Sequence, residues 1–178
     1  MIFCWYYLGD YMKQLFTIGY EATTMDAFLT TLDGARINIL LDIREIPVSR
    51  RKGFSKKALC EALADVDIDY RHERQLGSPK KIRHKLREDG NYKTFFREFN
   101  QHLKKQTDLL LKLADELSGN VAIMCYEQDH TQCHRSSVGN ALAEITGLTL
   151  KHLEVNNGGQ RKACQTPHTD IGQGISPA

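Results

Sequence analysis

One apolar stretch of the chain, residues 121–126, ends in Glu127 and is followed shortly by Cys133, His134 and Arg135. The stretch predicts a buried strand, and the residues from Cys133 onward predict a helix. Reactive side chains in open α/β sheets gather where strands end, because helix N-termini there point free N–H groups into a common crevice. We therefore expect this segment to carry a functional site.

A second charged loop follows another apolar stretch, residues 37–43, which also predicts a buried strand. Pro47 prevents the chain from continuing as a central strand, so a loop rich in arginine must leave the sheet there. Loops at the ends of adjacent parallel strands share one rim of a sheet. We therefore expect one crevice to be surrounded by Asp42, Arg44, Glu127, Cys133 and Arg135.

The residue types at these two strand ends fit the binding of an anion. A cation in the first turn of a helix, such as Arg135, opposes the helix dipole unless an anion lies between them. We expect Arg44, Arg50 and Arg135 to hold that anion. The polar side chains expected to complete the binding site are Ser49, Tyr126 and His134.

Two carboxylates are the candidates for handling protons or for attacking an electrophilic carbon. Partial burial at the end of a strand would raise the pKa of Glu127, whereas nearby arginines would favour its ionised form. Asp42 ends the other predicted strand and is the second catalytic candidate. The alternative for Glu127 is an ordinary loop carboxylate in a salt bridge.

Cys133 offers a different chemistry. A helix N-terminus and the neighbouring Arg135 would stabilise its thiolate, so Cys133 is either a reactive, catalytic thiol or a small packing residue. Cys125 is expected to be buried and inert, although it could face Cys133 across the turn.

Several well-known motifs are absent from the sequence. Neither Cys125 nor Cys133 is followed five or six positions later by an arginine, as the loops of phosphatases and rhodaneses require. No phosphate-binding loop and no Gly-x-Gly-x-x-Gly motif is present. A zinc site built from these cysteines with His130 and His134 would lack the close paired spacing of structural zinc, so we expect no metal and no other cofactor.

The length and composition of the chain indicate a single, ordinary globular domain. The chain has 178 residues, 41% of them hydrophobic, and a formal net charge of +2. The charge is unevenly distributed, because residues 74–87 contain no acid. The basic residues that dominate this region are Lys80, Lys81, Arg83, Lys85 and Arg87. Such a cluster favours nucleic acid or a nucleotide as partner, with a solvated helix face as the alternative.

The five cysteines form no dense disulfide pattern, which indicates a reducing, cytoplasmic location. Residues 1–12 are predicted to be an N-terminal extension, too short to cross a bilayer, which needs about 20 apolar residues. No membrane partner is expected. Residues 156–178 contain few core-forming residues and predict a disordered tail.

The periodicity of residues 13–155 predicts an α/β domain with a mostly parallel sheet of about five strands flanked by helices. Strands are predicted at residues 15–18, 37–43, 68–70, 121–126 and 148–155. Helices are predicted to end near Leu32, to cover residues 56–64 and 133–145, and to fill an insert at residues 78–118. The aromatic stripe of that insert, Phe95, Phe96 and Phe99, is predicted to be core rather than a base-stacking platform.

Short motifs along the chain are similar to those of one known family. They are Thr17-Ile18-Gly19-Tyr20, Leu41-Asp42-Ile43-Arg44 with Pro47, Ser49 and Arg50, Phe54-Ser55-Lys56, Leu76-Gly77, Met124-Cys125-Tyr126-Glu127 and Cys133-His134-Arg135. Together they resemble the bacterial and archaeal family known only as domain of unknown function 488, over about residues 16–155. Tyr20 and Glu21 stand where His and Ser are more usual. The resemblance implies a compact α/β domain in a prokaryotic cytoplasm, without implying a reaction.

The leading hypothesis is an enzyme that acts on a phosphate-bearing substrate, either a nucleotide or a nucleic acid. Glycosidic-bond hydrolysis or transfer suits a carboxylate beside a phosphate-binding arginine better than phosphoryl transfer, for which no metal-binding acid cluster is visible. One alternative is a thiol-based enzyme in which Cys133 is the nucleophile or redox centre and Cys125 resolves it. The other is a non-catalytic nucleic-acid-binding module that uses residues 80–87.

Overall fold

The computed structural model describes residues 12–156, which form one sheet with helices on both faces. The strands are β1 (Met12–Gly19), β2 (Ile39–Asp42), β3 (Asp69–His72), β4 (Gly119–Cys125) and β5 (Leu150–Leu153). The helices are α1 (Met25–Gly34), α2 (Lys56–Ala64), α3 (Lys80–Asp89), α4 (Tyr92–Lys104), α5 (Thr107–Glu116) and α6 (Arg135–Thr146). The predicted extension and tail lie outside the described residues, apart from Met12 and Asn156.

The strands lie in the order β3-β2-β4-β1-β5, and every neighbouring pair is parallel. The predicted single-domain α/β fold with about five strands is therefore confirmed. Gly19 of β1 lies opposite Cys125 of β4, and Asp42 of β2 lies opposite Met124 of β4. The ends of these three strands are thus level, and their loops begin at the same edge of the sheet.

Side chains of β4 alternate between the two faces of the sheet. Ala122 and Met124 pack into the core formed with α1 and α2, whereas Val121 and Ile123 pack into the core formed with α4, α5 and α6. The helices that follow β1 and β2 therefore lie on one face, and the helix that follows β4 lies on the other. Loops that leave adjacent strands in opposite directions open a crevice between them, which is the usual position of ligand sites in such folds.

The helical insert between β3 and β4 consists of α3, α4 and α5. Helix α4 buries Phe95, Phe99 and Leu103, and the last two belong to the core on this face of the sheet. Phe96, the third aromatic residue of the predicted stripe, is only partly buried. Helix α3 buries none of its side chains. No helix within residues 12–156 is long and apolar enough to span a membrane.

Local hydrogen bonds set the ends of two helices differently from the sequence prediction. Helix α6 begins at Arg135 rather than at Cys133, because Asp129 caps a short 3₁₀ helix, His130–Gln132, through the Thr131 N–H at 2.8 Å. Ser55 precedes α2 as predicted but makes no capping hydrogen bond. Its hydroxyl donates instead to the Ser49 carbonyl at 3.1 Å and so shapes the arginine-rich loop.

Candidate functional site

A pocket of about 470 Å³ opens at the carboxyl ends of β1, β2 and β4. The loops after these strands supply most of its wall, and α3 closes one side. Five arginines line the pocket: Arg44, Arg50, Arg51, Arg83 and Arg87. Only two carboxylates, Glu45 and Glu127, lie among the lining residues. The pocket is therefore strongly cationic.

The arginines of the pocket differ in how far the protein already satisfies them. Arg83 forms an ion pair with Glu45 at 2.6 Å, and Arg51 donates to a backbone carbonyl at 2.6 Å. Arg50 and Arg87 are exposed, and no described residue forms a hydrogen bond or ion pair with their side chains. These two guanidinium groups remain available to a ligand.

Asp42 and Arg44 form a buried ion pair behind the pocket wall. Asp42 is fully buried and accepts from Arg44 Nε at 2.9 Å, from Arg44 Nη2 at 2.6 Å and from the Tyr70 hydroxyl at 2.6 Å. Burial and the hydrogen bond to Asp42 raise the pKa of Tyr70, so its hydroxyl stays protonated as a donor.

This pair bears on two expectations from the sequence. The Asp42 side chain does not line the pocket and both of its oxygens are already bonded, so this arrangement does not support a catalytic role for Asp42. Arg44 lines the pocket, but it also donates from Nη1 to the Tyr20 hydroxyl and to the Phe54 carbonyl, both at 2.8 Å. Arg44 thus builds the wall, and its capacity to bind a further anion is small.

Arg135 supports a loop instead of binding an anion. Its side chain is 1% exposed, and its two terminal nitrogens donate to the backbone carbonyls of Glu127 and Gln128. The side chain does not line the pocket. This arrangement does not support anion binding by Arg135, because loop carbonyls already supply the negative partner that a cation in a first helical turn needs.

A compact set of reactive groups forms the floor of the pocket. The floor cluster consists of Cys125, Glu127, Cys133 and His134, with one sulfur, oxygen or ring nitrogen atom from each lying within 4.8 Å of all the others. The Cys125 and Cys133 sulfurs lie 3.0 and 2.9 Å from the same oxygen, Oε2 of Glu127. The His134 ring nitrogens lie 3.8 and 3.9 Å from the Cys125 sulfur.

Burial and mutual contact shift the proton affinities within this cluster. Burial, followed by the negative charge of Cys133, raises the pKa of Glu127 to about 7. Burial also raises the pKa of Cys125. For Cys133 burial acts in the same direction, but hydrogen bonds from Cys125 and His134 outweigh it and lower the pKa. At 2.9 Å the Cys133 sulfur and the Glu127 oxygen must share a proton, since two anions would not approach so closely.

The members of the cluster face the pocket unequally. Cys125, Glu127 and His134 line it, whereas Cys133 is 1% exposed and lies behind Glu127. The expectation that Cys133 borders the crevice is therefore wrong, although its contact with Glu127 keeps it in the site. Cys125, expected to be inert, belongs to the cluster. The sequence held a signal for this, because residues two apart on a strand, such as Ile123, Cys125 and Glu127, point to the same face of the sheet.

The loop after β1 fixes the position of the loop that carries Glu127. The backbone N–H of Glu21 donates to the Tyr126 carbonyl at 2.8 Å, and the Glu21 side chain accepts from Gln128 N at 3.0 Å. A Cβ atom at Gly19 would lie 1.9 Å from the Glu127 carbonyl oxygen. Only glycine permits this close approach, which explains its presence as the last residue of β1.

The remaining predicted site residues have distinct places. Ser49 and the exposed Tyr126 line the pocket, and the Ser49 hydroxyl accepts from the Arg51 N–H at 3.1 Å. The basic cluster on α3 is divided, because only Arg83 and Arg87 reach the pocket. The other three residues are exposed and do not line the pocket. Of these, Lys85 forms an ion pair with Glu98 of α4, and the other two are Lys80 and Lys81.

The fold and the site define a parallel α/β protein with a cationic pocket over a buried cluster of thiols, carboxylate and imidazole. The chain belongs to the family described as Domain of unknown function DUF488, whose model matches residues 24–142, more than half of the chain. The resemblance seen in the sequence is thereby confirmed. A search of curated proteins and a search of solved structures each found no match.

Proposed function

We propose that the protein is an enzyme that acts on a phosphate-bearing substrate, a nucleotide or a nucleic acid. The observation that supports this proposal best is a pair of arginines, Arg50 and Arg87, which no residue within 12–156 bonds and which line a pocket whose floor carries Glu127. Guanidinium groups bind phosphate through paired, charge-assisted hydrogen bonds. A substrate whose phosphate is bound by these arginines would place one of its other bonds beside Glu127 on the pocket floor.

Glu127 is the group proposed to move protons at that bond. Of the two carboxylates that line the described pocket, Glu45 forms an ion pair with Arg83, whereas Glu127 forms none with a described arginine or lysine. Its pKa of about 7 suits a group that gives and takes a proton near neutral pH. For glycosidic-bond hydrolysis, Glu127 would protonate the leaving group as the bond breaks to an oxocarbenium ion. Its carboxylate would then accept a proton from the water that adds to that ion.

A thiol-based enzyme is the second candidate, favoured by the common contact of Cys125 and Cys133 with Glu127. The thiol that a substrate in the pocket reaches is Cys125, because Cys133 does not line the pocket. Burial raises the pKa of Cys125, which disfavours the thiolate that a nucleophile requires. We also propose a cytoplasmic location, since both thiols are free and suit a reducing compartment.

Anion binding is tested by replacing the two free arginines. Arg50→Ser with Arg87→Ser should weaken binding of a fluorescein-labelled single-stranded oligonucleotide, measured by fluorescence anisotropy, by about tenfold or more. Lys57→Ser with Lys112→Ser removes the same charge from exposed lysines outside the pocket and should change the affinity less than about twofold. Equal effects of both pairs, or no binding at all, would refute the proposal.

The reaction class is tested by analysing products. Nucleotides and oligonucleotides incubated with the protein should release free base, or transfer the sugar, as followed by liquid chromatography and mass spectrometry. Glu127→Gln should abolish this release while retaining oligonucleotide affinity, because the amide cannot exchange the proton. Release of inorganic phosphate in place of free base would show phosphoryl transfer and exclude the glycosidic reaction.

A further inference from the structure

We propose that the floor cluster binds one zinc ion, with Cys125, Cys133, His134 and Glu127 as its ligands. Two sulfurs, an imidazole nitrogen and a carboxylate oxygen are ligand types that zinc takes in proteins. Bonds of about 2.0–2.3 Å in a tetrahedral site place ligand atoms about 3.3–3.8 Å apart. The contacts of 2.9, 3.0 and 3.8 Å within the cluster bracket that range, so small shifts would admit the ion.

The floor cluster combines two sulfurs and a carboxylate with one group, His134, that can carry a positive charge. Among the described residues, Glu127 Oε2 accepts only from the two thiols, which are weak donors, and no lysine or arginine forms an ion pair with it. The guanidinium of Arg135 donates to backbone carbonyls instead. A soft divalent cation would satisfy both sulfurs and the carboxylate together.

The surroundings of the cluster hold its side chains as metal ligands are usually held. The Arg135 backbone N–H lies 3.5 Å from the Cys133 sulfur, the position of a donor that stabilises a thiolate ligand. The His134 ring packs edge-on against Phe99, with ring centroids 5.0 Å apart, and this contact holds the ring in place.

The ion would face the pocket, which takes this inference beyond the proposed function. Glu127 is the least buried of the four ligands and lines the pocket, so it is the ligand that a water molecule or a substrate oxygen can replace. With all four ligands bound the site is closed, and departure of Glu127 would give the open fourth position that is typical of catalytic zinc. Arg50 and Arg87 are not ligands, and anion binding and zinc binding can therefore fail independently.

Zinc binding is tested on the full chain, freed of metal under reducing conditions and titrated with Zn²⁺ against a chromophoric chelator. One ion per chain is expected, and Co²⁺ in its place should give the absorption of tetrahedral cobalt thiolate. Cys125→Ser and Cys133→Ser should each weaken Zn²⁺ binding at least about a hundredfold. The matched control is Cys60→Ser, which alters an exposed cysteine of α2 and should leave the affinity unchanged.

A second measurement uses the wild-type protein, so its result does not depend on whether the variants fold. Zn²⁺ should protect Cys125 and Cys133, but not Cys60, from alkylation followed by peptide mapping. The proposal is overturned if the wild type takes up no stoichiometric zinc, or if all three cysteines alkylate alike with and without it. Formation of a disulfide between Cys125 and Cys133 that Zn²⁺ does not prevent would also overturn it and favour redox chemistry. The Arg50→Ser, Arg87→Ser variant must retain zinc, so loss of anion binding alone leaves this inference standing.

Discussion

The ion pair between Asp42 and Arg44 holds the loop after β2 against the end of β1. Asp42→Asn should lower the free energy of unfolding by about 3–5 kcal/mol, because it leaves the buried Arg44 without its counter-charge. Urea unfolding followed by circular dichroism measures the change. Glu61→Gln breaks an exposed ion pair with Lys57 and should cost less than about 1 kcal/mol. Equal losses of unfolding free energy in the two variants would mean that the buried pair stabilises the fold no more than an exposed pair does.

Arg135 should prove to be a stability residue and not a binding residue. Arg135→Met leaves the carbonyls of Glu127 and Gln128 without their donors, and each such loss costs about 1–3 kcal/mol. We expect unfolding at a lower urea concentration and an unchanged oligonucleotide affinity wherever the variant is folded. Arg97→Met, at an exposed position of α4, is the control. Lost affinity with full stability would restore the anion-binding role expected from the sequence.

At the scale of elements, the contact between the end of β1 and the loop after β4 sets the position of Glu127. Gly19→Ala should cost about 1–3 kcal/mol or more, because its Cβ would overlap the Glu127 carbonyl oxygen and push the loop outward. The midpoint temperature of thermal unfolding and the oligonucleotide affinity should both decrease. Gly34→Ala, at the end of α1 with no atom within 4 Å of the new Cβ, should be neutral or slightly stabilising.

The order of elements was predictable because apolar periodicity and turn residues act locally. The hydropathy pattern predicts strand β4 and the aromatic stripe of α4. Gly147 ends α6 in a left-handed conformation, as its position after the apolar pattern predicts. The start of α6 was not predictable, since the turn capped by Asp129 competes with the helix for the same residues.

The contents of the site were harder to predict than its location. Strand ends indicated the correct edge of the sheet, but whether an arginine meets a ligand or a carbonyl depends on contacts between distant segments. Arg44 is bonded through all three of its guanidinium nitrogens, and Arg135 is bonded through its two terminal nitrogens. No described residue bonds the Arg87 side chain. Cys125 joins Cys133 for the same reason, because the strand and the start of α6 meet only in the folded protein.

At the scale of the whole molecule, the row of cations on α3 bears on the size of the anionic partner. Lys80, Arg83 and Arg87 are spaced at helical intervals along one face, and the last two line the pocket. A nucleotide would contact only the pocket, whereas a longer strand leaving the pocket would also pass the lysines at the start of α3. Substitution of those lysines therefore separates the two classes of substrate.

Lys80→Ser with Lys81→Ser should weaken single-stranded oligonucleotide binding and reduce the slope of log affinity against log salt by about 1–1.5, since each lost phosphate contact removes about 0.7. Affinity for a nucleoside monophosphate should stay within about twofold. Lys104→Ser with Lys105→Ser, an exposed pair beyond the pocket, is the matched control and should leave the slope unchanged. If the Lys80 and Lys81 variant binds the oligonucleotide with the affinity and slope of the wild type, the start of α3 is an ordinary solvated face. The substrate would then be a small phosphate-bearing molecule held by Arg50 and Arg87, because no further cations along its path would be needed.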